Sequence, residues 1–316
     1  MRLSVPGNIL LLGEYAVLEE GGLGLAMAAD RRVRIAIEPC DTLMIEGTWQ
    51  RHALSWMRGD PGTPLLSAAV DVVESWLSRG EIGTAGIRCR IRIDSSAFFT
   101  AEGRKAGLGS SAAVTVGLVS ALLRAAGVPP DQRDAAVPGL AVRAHRLAQG
   151  GRGSGYDVTC SFHGGAGIFQ GGAEPSWKPC SIPGDPDVYL YSGPRAVATS
   201  EAVGRYEAWK KDNPAQAREF LDASNAALLA FTRAGSMGEA AHSFAACRKI
   251  GIELGEAIGV PAQLKIPAGL DPAWCKAVGA GNELGACLLP RGAAAPQAEA
   301  NALQRVRQDR GVAWEE

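Results

Sequence analysis

Lys105-Ala106-Gly107-Leu108-Gly109-Ser110-Ser111-Ala112-Ala113 is the stretch on which the reading of the fold turns. Two glycines lead into two serines, and the serines into an apolar run through Val114, Val116, Leu118, Val119, Ala121, Leu122 and Leu123. The run stops at Gly127, with Pro129 and Pro130 just beyond, which is the punctuation of a helix end. Glycine lets a backbone approach a ligand closely. A helix N-terminus presents unpaired N–H groups and a partial positive charge. Together they make a phosphate cradle. Ser110 and Ser111 have three open uses: capping the helix, coordinating Mg²⁺, or one of each. Lys105 adds a mobile charge at the rim. A tight loop feeding a buried helix explains the same residues, so Gly-x-Gly-Ser-Ser alone decides nothing. No Gly-Lys-Ser/Thr closes the loop, so it is not a Walker A motif.

Downstream, a second helix is expected after Pro138, carrying Leu140, Val142, His145, Leu147 and Ala148 and ending at Gly150-Gly151. Gly153-Ser154-Gly155-Tyr156-Asp157 follows. Asp157 has two readings: a helix cap before Val158-Thr159-Cys160, or the group that takes a proton from a substrate hydroxyl. Upstream, Ile87 to Asp94 alternates apolar and polar residues, the pattern of a half-buried strand. Its arginines, Arg88, Arg90 and Arg92, read as a solvated face rather than a phosphate site. Residues 1–47 read as strands with turns, and Thr63-Pro64 opens a helix that ends at Gly80.

After residue 180 the pattern becomes α+β. Val188 to Ser192 reads as a strand, and Thr199-Ser200 as the cap of a helix. Asn213-Pro214 opens a longer helix through Phe231. Ser236 and Glu239 form a capping box for a helix ending at Gly259. Lys276 to Gly281 is a second glycine turn before a short buried strand, Ala286 to Leu289. The tail from Pro296 to Trp314 is polar and is read as helical.

At 316 residues and 47% apolar content the chain has ample core for one large domain or two ordinary ones. A net charge of −1 supplies no basic field, which argues against nucleic acid. No apolar run approaches the ~20 residues of a membrane span, and residues 1–7 lack a signal-peptide core. The seven cysteines show no metal spacing. Cys89, Cys160, Cys247 and Cys287 sit singly in apolar surroundings, so they are expected to be buried thiols in a reducing cytoplasm.

Three separated motifs resemble those of the GHMP small-molecule kinases: Pro6 to Leu18 (with Gly13-Glu14-Tyr15-Ala16-Val17-Leu18), Lys105 to Ala113, and Lys276 to Gly281. Their order and spacing match that superfamily across nearly the whole chain. Within it, the pattern is most similar to the phosphomevalonate kinase branch, on His145, Gln149-Gly150, Gly153 to Asp157, Ser192-Gly193 and Ala198-Thr199-Ser200. The resemblance implies an α+β, two-domain fold. Residues 1–180 would form an ATP-binding domain like ribosomal protein S5 domain 2, and residues 181–316 a ferredoxin-like domain, with the active site between them. It implies ATP and Mg²⁺ as cofactors and γ-phosphoryl transfer to (R)-5-phosphomevalonate. The expected partner is that small phosphorylated acceptor, in a cytoplasmic monomer or homodimer.

By the same resemblance, Gly107, Leu108, Gly109, Ser110, Ser111 and Ala112 would hold the nucleotide phosphates, with Ser111 the better Mg²⁺ ligand. Asp157 falls on the position of the catalytic base, and Lys105 on one that meets phosphate. Asn8, Glu14, Tyr15, Ser154, Gly155, Ser200, Lys276, Gly279, Ala280 and Gly281 fall on segments bordering the acceptor. Lys105, Lys276 and Arg195 are the candidate cations for a phosphorylated acceptor.

Four departures stand out. Asn8 replaces the family's usual lysine, Leu284 its usual acid (Glu283 is adjacent), and Ile266 to Pro272 a helix that precedes the third motif. His145 stands about where mevalonate kinases place a Mg²⁺-binding Glu, and is either a mark of the phosphomevalonate branch or a plain helix histidine. Alternatives are a mevalonate-diphosphate-type decarboxylase, another kinase of the superfamily acting on mevalonate or a sugar, and a weakened paralogue that binds nucleotide without turnover.

Overall fold

The computed structural model describes residues 1–49, 52–60, 63–80, 86–100, 103–193, 197–282, 284–293 and 303–315. The chain opens with two long strands, β1 (Arg2–Leu12) and β2 (Leu23–Pro39), then β3 (Met44–Trp49) and β4 (His52–Met57). Helix α1 (Pro64–Leu77) and β5 (Cys89–Asp94) precede three helices, α2 (Ser110–Ala125), α3 (Pro130–Ala148) and α4 (Tyr156–His163). Strands β6 (Ala166–Gln170), β7 (Ser176–Pro179) and β8 (Asp187–Ser192) follow. Three more helices come next, α5 (Thr199–Asp212), α6 (Pro214–Thr232) and α7 (Met237–Ala257). Strands β9 (Cys275–Val278), β10 (Leu284–Leu289), β11 (Gln304–Val306) and β12 (Ala313–Glu315) close the chain. The expected α+β class is what is observed.

Two compact units divide the chain, and neither is continuous in sequence: residues 1–8, 28–165 and 309–316 form one, and residues 9–27 and 166–308 the other. A single cut near residue 180 does not describe them, because β1 and β2 each run through both units.

In the first unit the strand order is β12-β1-β2-β5-β3-β4. The alternation seen in β5 is real: Cys89, Ile91 and Ile93 are buried, while Arg92 faces solvent and pairs with Glu38 and Glu46. Arg90 and Arg92 belong to an ion-paired face, as the alternation predicts. Helix α2 buries residues all round its circumference, which is why its sequence is apolar rather than amphipathic. The helix expected after Pro138 begins eight residues earlier, at Pro130. Pro130 suits the first helical turn. Pro138 lies inside the helix, which continues because Val137, Leu140, Ala141 and Ala144 are buried on either side of it. Of the terminal stretch read as helical, residues 296–302 lie outside the described residues, and the remainder contributes β11 and β12, the latter antiparallel to β1 with Leu3 opposite Trp314.

In the second unit, Leu23 to Met27 of β2 pairs with β6, and β6 with β7. A separate antiparallel sheet runs β11-β8-β10-β9. Helix α7 begins as the capping box predicts: Ser236 Oγ accepts from Glu239 N at 3.3 Å. Glu239 Oε2 reaches back to Gly235 N at 2.8 Å, one residue beyond the usual partner. At α5, Ala198 occupies the cap position and Thr199 is already helical, so the Thr199-Ser200 cap is not formed.

The thiol reading fails for Cys287. It faces Cys275 across β10 and β9, with Cα atoms 4.2 Å apart, and the two form a disulfide. Cys40, Cys89, Cys160, Cys180 and Cys247 are free. Burial pushes the Cys89 thiol up to about 11 and Cys247 to about 12. Alkylation at pH 8 is therefore expected to spare both in the native protein, since the thiolate is the reactive form. Denaturation without reductant should expose five thiols, and with reductant all seven, counted by mass.

Candidate active site

The phosphate-loop candidates lie in the first unit. Gly107 and Gly109 both have positive φ, 71° and 68°. Gly109 is the residue before α2, and no side chain caps the helix. Ser110 and Ser111 are its first two residues, so neither is the cap. The first-turn N–H groups, those of Ser110, Ser111 and Ala112, are left for a ligand. Leu108 is buried, its carbonyl accepting from Asn8 N at 3.0 Å. Lys105 is exposed and bridges Phe99.

Asn8 is nearly fully buried, and its Nδ2 donates to Ser161 Oγ at 3.0 Å. A Cβ on Gly109 would sit 2.2 Å from that same Nδ2. Asn8 thus lies under the loop and ties it to α4. Gly109→Ala must adopt a left-handed conformation against Asn8, at a cost of about 1–3 kcal/mol and a displaced loop. The expected result is a lower melting temperature together with weaker ATP binding, measured by calorimetry.

Gly155 precedes α4 with φ 90°, and a Cβ there would lie 2.9 Å from Val142 of α3. Asp157 is the second residue of α4 rather than its cap. Its Oδ1 accepts from Val158 N at 2.9 Å, and its Oδ2 lies 3.5 Å from His145 Nδ1. The other ring nitrogen of His145, Nε2, is 3.3 Å from Ser111 Oγ and 3.1 Å from Gln149 Nε2. Ser154 is buried, its carbonyl accepting from Arg146 at 2.6 Å. One imidazole therefore touches both the candidate metal ligand and the candidate base.

The remaining candidates lie in the second unit. Lys276 is buried and donates to Glu14 Oε1 at 2.5 Å, to Ala277 O at 2.6 Å and to Leu11 O at 3.2 Å. Burial pushes the Glu14 carboxyl up, against the opposing pull of the Lys276 ammonium. Tyr15 is buried with φ 64°, packs its ring at a tilt against Tyr206 with centroids 5.2 Å apart and donates to Ala280 O at 2.5 Å. Burial and the neighbouring Glu14 raise its hydroxyl far above the usual tyrosine range. Gly281 O accepts from Val197 N at 3.1 Å, Gly279 has φ 77°, and Ser200 is exposed in the first turn of α5. Glu14, Tyr15, Lys276 and Ala280 are thus engaged with one another's segments. Arg195 and Glu283 lie outside the described residues.

Among the described residues no group of three or more His, Cys, Asp or Glu side chains could hold a metal ion. Ser111 Oγ is an oxygen donor, the kind Mg²⁺ takes. Mg²⁺ commonly rests on one or two protein ligands plus nucleotide phosphates, and a single hydroxyl beside an open helix start fits that habit. One residue gains a place that sequence reading missed, Ser161, the partner of Asn8; Gln149, which the resemblance already includes, is the partner of His145. The Ser161 contact spans 153 residues, and no local pattern announces it. Among the described residues no helix is long and apolar enough to cross a membrane.

Residues 66–165 match the family model of the GHMP kinases N terminal domain. The chain is 29% identical over 167 residues to a phosphomevalonate kinase of Saccharolobus solfataricus, covering 52% of this chain and 47% of that one. It is 26% identical over 179 residues to a mevalonate kinase of Aeropyrum pernix, covering 55% and 52%. The matches thus span about half the length of these curated relatives. A solved Streptococcus pneumoniae phosphomevalonate kinase, in complex with phosphomevalonate and AMPPNP, superposes with a TM-score of 0.74 at 19% identity, covering 98% of this chain and 99% of that one.

Proposed function

We propose that this chain, which has the GHMP kinase fold and carries its N-terminal domain, transfers the γ-phosphoryl group of ATP to (R)-5-phosphomevalonate, giving mevalonate 5-diphosphate. The observation that carries the reading is the junction of the uncapped α2 N-terminus with Ser111, His145 and Asp157. Phosphoryl transfer asks a protein mainly for positioning and charge neutralisation. The N–H groups of Ser110 to Ala112 would hold nucleotide phosphate, and Ser111 Oγ would hold Mg²⁺. Bound there, Mg²⁺ would neutralise charge on the β and γ oxygens. Asp157 Oδ2 would orient the acceptor hydroxyl and take its proton.

The acceptor rests on the relatives' names and on His145. Lys105 is the described cation still available to a phosphorylated acceptor among the three named, since Lys276 is spent on Glu14. Asn8 carries no charge and is turned to Ser161, so any stabilisation a lysine would lend there has to come from elsewhere. The Aeropyrum relative favours a second reading, mevalonate as acceptor.

ADP release with Mg-ATP tests both, scanning phosphomevalonate, mevalonate, mevalonate diphosphate and several sugars. Turnover highest on phosphomevalonate is expected. Preference for mevalonate moves the assignment to the second reading, and CO₂ release from mevalonate diphosphate to a decarboxylase. Nucleotide binding without turnover on any acceptor overturns the kinase assignment.

A further inference from the structure

We infer that His145 is a positioning residue whose two ring nitrogens separately set the Ser111 hydroxyl for the metal–nucleotide complex and the Asp157 carboxylate for the acceptor. The inference rests on the phosphotransfer reading. His145 sits in the last turn of α3 and is 4% exposed, so its neighbours fix the ring. Nδ1 lies 3.5 Å from Asp157 Oδ2, an acceptor, and that neighbour suits the tautomer with hydrogen on Nδ1. In that tautomer Nε2 presents one lone pair, facing Gln149 Nε2 at 3.1 Å and Ser111 Oγ at 3.3 Å. The Gln149 amide and the Ser111 hydroxyl share it.

The consequence for Ser111 is specific. A hydroxyl has one hydrogen and two lone pairs. With the hydrogen directed at His145, both lone pairs are free for a cation. In the opposite orientation the hydrogen would point at the ion. On the other side of the ring, Nδ1 packs against Oδ2 of Asp157 at 3.5 Å while Val158 N holds Oδ1. Ligand-orienting partners of this kind typically change metal affinity or activity by about 10–100-fold when removed.

Three variants separate the two roles. His145→Phe keeps ring volume and removes both contacts. His145→Asn places an amide near Nδ1 and abandons Ser111, while His145→Gln reaches toward Nε2 and abandons Asp157. ATP affinity is measured by calorimetry with Mg²⁺ and with EDTA, alongside kcat and the melting temperature. The expected result for Phe and Asn is an Mg-ATP Kd raised about tenfold, with the EDTA value within twofold of wild type. Gln should keep the Mg²⁺-dependent gain and lower kcat. Equal weakening with and without Mg²⁺ in all three variants assigns His145 to packing and overturns the inference. So does wild-type Mg-ATP affinity and kcat in the Phe variant. A wild-type chain whose ATP affinity ignores Mg²⁺ overturns the phosphotransfer reading as well, and that arm needs no acceptor substrate.

Discussion

Asp157→Asn lowers the turnover of phosphoryl transfer by about 10²–10⁴-fold and leaves ATP affinity in EDTA near wild type. The asymmetry follows from where the two oxygens point. Oδ1 accepts from Val158 N, and an asparagine carbonyl can keep that bond. Oδ2 faces the His145 side and the site, and there the substitution puts an amide that can neither take a proton nor neutralise charge. The side chain is half-buried, and asparagine keeps its volume, so the fold is expected to survive the change. Removing an acid from the first turn of α4 costs only about 0.3–1 kcal/mol through the helix dipole. The measurements are kcat from ADP release, ATP affinity and the melting temperature. Collapse of kcat with stability retained identifies Asp157 as the base. Turnover surviving nearly intact keeps the kinase assignment open and removes Asp157 from that role. Loss of kcat together with a large fall in melting temperature would point to misfolding of α4 instead.

What the sequence makes legible here is local. The glycine-serine loop and α2 can be read because a left-handed turn, an open helix start and an apolar run occupy consecutive residues. The Ser236–Glu239 box can be read because both partners lie within one turn. Distant pairings cannot be read this way. β12 consists of three residues whose strand character comes from β1, some 300 positions earlier, so a polar tail gave no sign of it. Cys275 and Cys287 meet because the register of β9 and β10 sets them opposite, and register is not visible in cysteine spacing. The motif resemblance named Glu14 and Lys276 as borders of the acceptor. In the fold they are 262 positions apart in sequence and bonded to each other. Asn8 is the same kind of case: the residue type raised a question about lost charge, and its burial against Ser161 answers with a tether for the loop.

The second large effect is on stability. Lys276→Met is expected to destabilise the protein by about 3–5 kcal/mol, lowering the melting temperature by roughly 2–4 °C for each kcal/mol. The ammonium is 3% exposed and satisfies Glu14, Leu11 O and Ala277 O together, so its removal strands a buried carboxylate and two carbonyls. The pH dependence has a definite sign. Burial already raises the Glu14 carboxyl in the folded protein, and Lys276 opposes that rise. A carboxyl raised on folding favours the fold fully below its unfolded value, and that contribution is lost as pH rises through the folded value. Without Lys276 the rise is larger. The deficit of Lys276→Met should therefore be greatest near pH 7–8 and shrink toward about pH 4–5, where an unfolded glutamate also takes up its proton. Adding Glu14→Gln removes the charge with little change of shape. Lys276→Met/Glu14→Gln is thus expected to recover much of the loss and to flatten the pH dependence, in melting curves across that range. Recovery assigns the cost to an unpaired buried charge. A double variant as unstable as Lys276→Met at every pH would mean that lost packing and the two stranded carbonyls, rather than the carboxylate, account for it.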